Sequence, residues 1–337
     1  MENQTIVFAA PGVVEIQKSN VRTPGDNEVV VRLARSTISS GTERANLSGD
    51  PNVIVSDLSG IAKFPRITGY SSSGTVEAIG KNVRSVAVGD RVATYWSSHS
   101  KYNVLNERNV IKLPDEVGFA DGALWHIATF PLAAIRKCRL EAGESAIVMG
   151  QGVLGMMAVK LLRVVGAVPI IAVDPIAEKR NQAIKIGADY AFDPTDAAFA
   201  EKVRQLTHGG ANVAIEVTGV GAALNQCLDC MAKLGRVALL GCTRSSDFSV
   251  DYYHKVHGPG ISLIGAHTNA RPNSDSYPGY WTTRDDIIAL AKMTRFGRLS
   301  LGDMISEVHS PSEAVEVYGR LLKEKSFPLV QFDWDRI

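Results

Sequence analysis

Apolar and polar positions follow two different rhythms along this chain. In the first third, apolar residues come in short runs rich in β-branched side chains, each bounded by Gly, Asp or Asn. Runs of that kind predict strands over 28–35, 74–80 and 89–95. No long helical period interrupts them, so this part reads as a β-rich domain. Beyond it, a run at 145–149 predicts a buried strand, 156–165 an apolar helix and 169–174 a second strand. A helix over 177–186 follows, closed by Gly187, and further buried strands are predicted at 212–217, 235–241 and 261–265 with helices between them. Strands alternating with helices at this spacing predict a doubly wound parallel sheet. The tail returns to mixed character, with amphipathic helices over 283–294 and 312–324 and a last strand over 328–332. The segment 269–279, rich in Asn, Ser, Pro and Gly, reads as a loop insertion.

The turn after the strand at 145–149 carries Gly150-Gln-Gly-Val-Leu-Gly155. A strand enters it, a helix leaves it, and Asp174 ends the next strand 24 positions after Gly150. This is the context a dinucleotide fingerprint needs. Gly150 permits the tight turn, Gly152 lets backbone approach a pyrophosphate, and Gly155 lets helix and strand pack closely. The helix start, with Val153 and Leu154, offers free N–H groups and a partial positive charge. Asp174 is placed to accept from ribose hydroxyls and to repel a 2′-phosphate, which favours NAD over NADP. Lys179 and Arg180 close behind it blunt that preference. Thr218, Gly241, Cys242 and Thr243 follow the ends of other parallel strands, where ligands of such sheets bind.

Composition changes the picture in three ways. Over 337 residues the formal net charge is +1, which argues against a nucleic-acid partner or a polybasic membrane surface. The chain is 45% hydrophobic and 21% charged, which excludes disorder, and no stretch approaches the length of a membrane span. Its four cysteines (Cys138, Cys227, Cys230 and Cys242) form no disulfide framework. Glu2 stands where a secretion signal would carry positive charge. Together these predict a cytoplasmic protein. Cys227-Leu-Asp-Cys230 lies in a predicted helical run over 222–232 and reads as packing, since no second pair completes a metal site. The cluster Tyr252-Tyr-His-Lys-Val-His257 reads as a loop and strand edge.

The order of parts resembles the medium-chain dehydrogenase/reductase superfamily, which holds the alcohol, sorbitol and threonine dehydrogenases. The resemblance covers nearly the whole chain. It rests on Pro65-Arg-Ile-Thr-Gly-Tyr-Ser-Ser-Ser-Gly-Thr-Val-Glu-Ala-Ile-Gly80, on Val88-Gly-Asp-Arg-Val92 and on the cofactor entry from Glu141 to Gly155. It implies an α/β chain with an N-terminal GroES-like β-rich catalytic domain (1–126 and 268–337) and a Rossmann domain (127–267). A homodimer or homotetramer is also implied.

Departures from the family pattern concern metal. Where zinc-dependent members place a cysteine ligand, this chain has Ser40-Gly41-Thr42-Glu43; where they place Gly-His-Glu, it has Gly69-Tyr70-Ser71. The third ligand position falls on Trp125 or, with a one-residue slip, on His126. The loop with four cysteines for a structural zinc is missing. Serine and tyrosine are poor zinc ligands, so the chain is expected to lack the zinc. A site rebuilt from Glu43, His99 and His126 is the alternative.

Without metal, a titratable group and hydrogen-bond donors must move the hydroxyl proton and stabilise the alkoxide. The candidates are His99, Tyr70 and His126 as acid/base groups, Ser40 and Thr42 as relays, and Glu43 orienting His99 or binding hydroxyls. Trp96, Trp125 and His267 are candidate substrate contacts. The expected activity is a zinc-independent, NAD-dependent interconversion of a secondary alcohol and a ketone on a sugar, polyol or cyclitol derivative. The rivals are an NAD(P)H-dependent quinone or enoyl reductase and a catalytically silent nucleotide-binding protein.

Overall fold

The computed structural model describes residues 1–53, 59–244, 246 and 248–337. The chain divides into two compact units: residues 1–127 with 287–337, and residues 128–286.

The first unit opens with β1 (Glu2–Ala10), β2 (Val13–Asn20), β3 (Glu28–Thr37), α1 (Ser40–Ser48) and β4 (Arg66–Ile67). Then come β5 (Ser71–Ile79), β6 (Arg91–Tyr95), β7 (Tyr102–Asn106), β8 (Val110–Lys112) and α2 (Phe119–Gly122), followed by α3 (Trp125–Lys137), most of which belongs to the second unit. The predicted strands are present with shifted ends: β3 gains Ser36 and Thr37, β5 starts at Ser71 and ends at Ile79, and β6 starts only at Arg91. The nine-residue helix α1 was not predicted. It has a weak apolar face and no side-chain N-cap, so nothing local announces it.

In the second unit β9 (Ala146–Met149), α4 (Val153–Val165), β10 (Ile170–Val173), α5 (Ala177–Ile186) and β11 (Tyr190–Phe192) form the first half. The second half is α6 (Phe199–Leu206), β12 (Ala211–Glu216), α7 (Gly221–Asp229), β13 (Met231–Leu239) and β14 (Ser262–Gly265). The strand order is β11-β10-β9-β12-β13-β14, all parallel, which is the doubly wound dinucleotide-binding order. Strands β9, β10 and most of β12 are buried end to end, as a sheet covered on both faces requires.

The chain finishes with α8 (Thr283–Arg295), β15 (Glu307–His309), α9 (Ala314–Lys323) and β16 (Val330–Asp333). In the first unit β16 inserts between β15 and β3, giving a sheet of order β15-β16-β3-β5-β6-β8, with β7 paired to β3. Its core joins Phe8, Leu33 and Leu47 from early in the chain to Tyr318, Phe332 and Trp334 from its end.

Three expectations are corrected. Residues 268–286, expected with the β-rich domain, pack in the second unit, where Arg271 donates to Thr129 O at 3.0 Å and Arg136 lies over the Trp281 ring at 3.6 Å. The helix expected over 222–232 stops at Asp229, because Met231 onward is drawn into the parallel sheet beside β12. Residues Tyr253–His257 form a short π-helical turn instead of an open loop.

Candidate functional site

The sites in the two units are described separately. In the first, chemistry gathers around the N-terminus of α1. Glu43 is 0% exposed, and so is His99. Every group facing the Glu43 carboxyl is a donor. Ser39 N donates at 2.9 Å, Tyr318 OH at 2.5 Å, and His99 Nε2 lies 3.2 Å from Oε2. Because the carboxylate can only accept, Nε2 of His99 carries a proton. On the other side of the ring, His99 Nδ1 meets Ser36 Oγ at 2.7 Å, and Ser36 Oγ accepts from Trp334 Nε1 at 2.8 Å. Burial and the neighbouring Glu43 push the Tyr318 phenol well above its ordinary value, so it stays a donor. Gly69 makes room for this arrangement. At φ +102° a side chain is disfavoured, and a Cβ there would meet His99 N at 2.3 Å.

This network corrects the roles expected of His99 and Trp125. A histidine with no exposed atom, enclosed by Ser36, Glu43, Tyr318 and Phe332, cannot pass a proton to a substrate. It positions Glu43 instead. Glu43 in turn does not bind hydroxyls; it fixes Ser39, the residue that starts α1. Trp125 is 0% exposed and is a core residue.

Tyr70 stands at the edge of the network, half-buried, and its hydroxyl donates to Ser39 Oγ at 2.6 Å. The His126 ring packs edge-on to Tyr70 (5.3 Å) and Trp96 (4.6 Å), and its Nδ1 lies 2.8 Å from Tyr70 O. A carbonyl can only accept, so Nδ1 carries the proton and Nε2 is the basic nitrogen of the neutral ring. Trp96 is 45% exposed at φ +56°, a conformation that costs a bulky residue energy and marks functional positions. Ser40 and Thr42 are partly exposed in the first turn of α1. The structure therefore brings Tyr70, His126 and Trp96 together beside α1, with His99 and Glu43 buried behind them.

A zinc ion needs three or four thiolate, imidazole or carboxylate ligands at about 2.0–2.3 Å. Among the described residues no three His, Cys, Asp or Glu side chains gather in that way. Of the trio Glu43, His99 and His126, the first two face each other in the core, while His126 is held by Tyr70 O and the aromatic rings. This donor set does not fit zinc.

The second unit carries the glycine-rich turn. Gly150 has φ +95°. A Cβ on Gly155 would lie 1.9 Å from Gly150 O, whereas one on Gly152 would meet nothing within 4 Å. Tight turn, close packing and open approach thus fall on the three glycines as the fingerprint requires. Val153 is buried at the start of α4 and Leu154 is partly exposed beside it.

Asp174, just past β10, accepts from Gln151 N at 2.8 Å on one carboxylate oxygen and from Ile176 N at 2.9 Å on the other. Each oxygen keeps a second lone pair for a ribose hydroxyl. Arg180 is not turned outward. Its Nη1 donates to Asp174 O, Pro175 O and Asp193 Oδ2 at 2.7, 2.9 and 3.0 Å. Lys179, the other basic residue expected to temper Asp174, is partly exposed in the same turn of α5. The loops after β9, β12 and β13 close on one another. A Cβ on Gly150 would press on Thr218, one on Gly241 would meet Gly219 N at 2.3 Å, and Thr243 Oγ1 donates to Gly219 O at 3.0 Å. Cys242 and Thr243 are exposed at this edge. These residues fit a dinucleotide.

Two features lie outside the sequence expectations. Glu216 ends β12 as a buried carboxyl that accepts from Thr218 N at 2.8 Å and from the Thr218 hydroxyl; burial pushes its pKa up. Ser36, Ser39, Tyr318 and Trp334 complete the network around His99. A strand-end glutamate beside a Thr-Gly turn is a usable sequence signal for the first. No local pattern could have found the second group, whose members lie up to 298 residues apart. Cys227 and Cys230 are buried packing residues, and burial pushes the Cys230 thiol up to about 12.

Residues 25–138 match the family of alcohol dehydrogenase GroES-like domains, and residues 153–282 match the zinc-binding dehydrogenase family. Each of the two units thus carries a match to a domain family of alcohol dehydrogenases. One relative, the D-guloside 3-dehydrogenase of Shigella flexneri, is 25% identical over 331 residues, covering 93% of this chain and 94% of the relative. Two solved structures share the fold. One from Sinorhizobium meliloti 1021, described as a zinc-binding dehydrogenase and bound to NADP, superposes with a TM-score of 0.83 at 19% identity, over 99% of both chains. An alcohol dehydrogenase from Escherichia coli CFT073, complexed with NADH, gives 0.84 at 17% identity, over 98% of this chain and 99% of that one. This fold has thus been solved with either nucleotide.

Proposed function

We propose that this protein is a zinc-independent, NAD-dependent dehydrogenase that interconverts a secondary alcohol and a ketone on a sugar, polyol or cyclitol derivative. The observation that carries the reading is what replaces the family's metal ligands. By the resemblance, Ser40 and Tyr70 stand where zinc-dependent members place a cysteine and a histidine, and the Tyr70 hydroxyl donates to Ser39 Oγ at 2.6 Å. The sugar or polyol class is supported by the hydroxyl, imidazole and indole groups at this turn and by the D-guloside 3-dehydrogenase relative.

The dinucleotide would rest on Gly150, Gly152 and Gly155, with Asp174 on the adenosine ribose. When bound, it supplies the hydride acceptor. The chain's own residues supply the rest. Tyr70 Oη gives its proton to the oxygen of a ketone and regains one from solvent; in the reverse direction its ionised form takes the proton of the alcohol and releases it to solvent, with Ser39 Oγ its hydrogen-bond partner between turnovers. His126, itself only 1% exposed, packs its ring against Tyr70 and holds the Tyr70 backbone through Nδ1. Trp96 presents an indole edge or face to the apolar side of a sugar ring.

Two measurements test this. A panel of polyols, sugars and keto-sugars, assayed beside quinones and enones with NAD(H) and NADP(H), should show turnover of hydroxyl substrates. Preferential reduction of enones with NADPH overturns the reading. Metal analysis of protein purified without chelator should find well under one zinc per chain; stoichiometric zinc overturns the metal-free part. Asp174→Gly is expected to raise the KM for NADH about tenfold, the worth of one to two hydrogen bonds to a charged group, with a smaller change for NADPH. Equal changes for both cofactors would remove Asp174 from the ribose.

A further inference from the structure

Strands β10 and β11 run parallel with Val173 beside Phe192, so the residues that follow them, Asp174 and Asp193, stand side by side at the C-terminal edge of the sheet. Asp174 N donates to Phe192 O at 3.3 Å and closes that pairing. The two carboxylates have different partners. Asp174 accepts from the backbone of Gln151 and Ile176. Asp193 spends Oδ1 on its own turn, accepting from Thr195 N at 2.9 Å and Thr195 Oγ1 at 2.7 Å. Gln226 Nε2 donates to Pro194 O at 2.8 Å and fixes the next residue of that loop. The free side of Asp193, Oδ2, faces Arg180 Nη1 at 3.0 Å.

Arg180 lies in the first turn of α5. Its Nη1 also donates to the backbone oxygens of Asp174 and Pro175, so the guanidinium is tied to the underside of the turn that presents Asp174. Its described counter-charge is Asp193. The Thr195 hydroxyl and N–H hold the Asp193 carboxyl below the usual carboxylate range, so it is ionised at neutral pH. A guanidinium beside the ribose is the group that ordinarily accommodates a 2′-phosphate. Here that cation is neutralised and its donors are spent on the protein. A ribose 2′-hydroxyl, which carries no charge, loses little by this; a phosphate with about two negative charges loses its natural partner.

We propose that Asp193 is a specificity residue for the cofactor: it clasps Arg180 against the Asp174 turn, withholds the guanidinium from a 2′-phosphate, and so favours NAD over NADP. Asp193 acts through Arg180 and is a positioning residue. The proposal rests on the dinucleotide reading above, with Asp174 at the adenosine ribose, and every residue it uses belongs to the second unit.

The test measures Kd for NADH and NADPH by nucleotide fluorescence on the full chain, for wild type, Asp193→Asn, Arg180→Met and the double variant. Asparagine keeps one oxygen for Thr195 and turns amide donors toward Arg180, so the turn is retained and the clasp is lost. Wild type should bind NADH more tightly than NADPH. Asp193→Asn should lower the ratio of Kd for NADPH to Kd for NADH at least about tenfold, the worth of one charge-assisted hydrogen bond. In the Arg180→Met background the same substitution should move the ratio by less than about threefold. That arm separates a clasp from the bare loss of a negative charge or a loosened turn, either of which acts whether or not Arg180 is present.

A shift below about threefold in Asp193→Asn, or an equal shift with and without Arg180, overturns the proposal. So does a wild type that binds both nucleotides equally, because a clasped Arg180 would then bar nothing. A fall in thermal stability with an unchanged ratio overturns it as well, leaving Asp193 a structural residue. Wild type that binds neither nucleotide overturns the dinucleotide site and the clasp together. If the nucleotides bind in the expected pattern and no alcohol or ketone is turned over, the clasp stands and the dehydrogenase reading falls.

Discussion

Replacing Tyr70 with Phe should lower kcat by about 100-fold or more, the usual worth of a positioned general acid or base. Nucleotide affinity should stay within about threefold, because the substitution leaves the glycine turn and Asp174 unaltered. The substitution removes one oxygen and keeps the ring that packs against His126 and Trp96. It leaves Ser39 Oγ without its donor, yet spares Ser39 N, Glu43 and His99. A fall in kcat with unchanged thermal stability and unchanged NADH binding by fluorescence is the expected signature. If kcat changes by less than about threefold, the proton is handled elsewhere.

Glu43→Ala is expected to lower stability by about 3 kcal/mol, since each buried donor left without its acceptor costs about 1–3 kcal/mol. Three donors lose their acceptor at once: Ser39 N, Tyr318 OH and His99 Nε2. None is open to water in the native state, so each desolvation penalty is retained. The loss should show as an earlier unfolding transition in urea. A coupling test sharpens it. Tyr318→Phe should destabilise the wild type clearly and the Glu43→Ala background much less, since the phenol's acceptor is already gone. Additive effects, or a loss below about 1 kcal/mol for Glu43→Ala, would show that the carboxylate does not organise this core.

Much of the fold could be read from the chain, because its parallel sheet is written in local signals. Buried apolar runs, the glycine turn and Asp174 are each recognisable within a few residues, and the structure places them in one doubly wound sheet. Helix α1 escaped because its pattern is neither amphipathic nor capped. The candidate site was legible as a set of residue types and not as a set of roles. His99 has a pocket histidine's composition and a core histidine's position. What decides between them is Tyr318, Trp334 and Phe332, which reach it from the last elements of the chain. Burial set by partners more than 200 residues away has no local signature. The same holds for Lys137, a helix-terminal lysine by sequence and a nearly buried one in the fold.

Strand β16 has a consequence for synthesis. It pairs with both β15 and β3, so the sheet that carries Ser36 and the start of α1 cannot close until residue 333 has been made. Residues 128–286 form an uninterrupted stretch and leave the ribosome with all six strands of their sheet in hand. During translation the nucleotide-binding half can therefore fold first, while the half bearing Tyr70 and His126 stays open. The nascent chain acquires its cofactor platform before its proton-handling groups, and the interval between the two is when β3 is most exposed to mispairing and to chaperones.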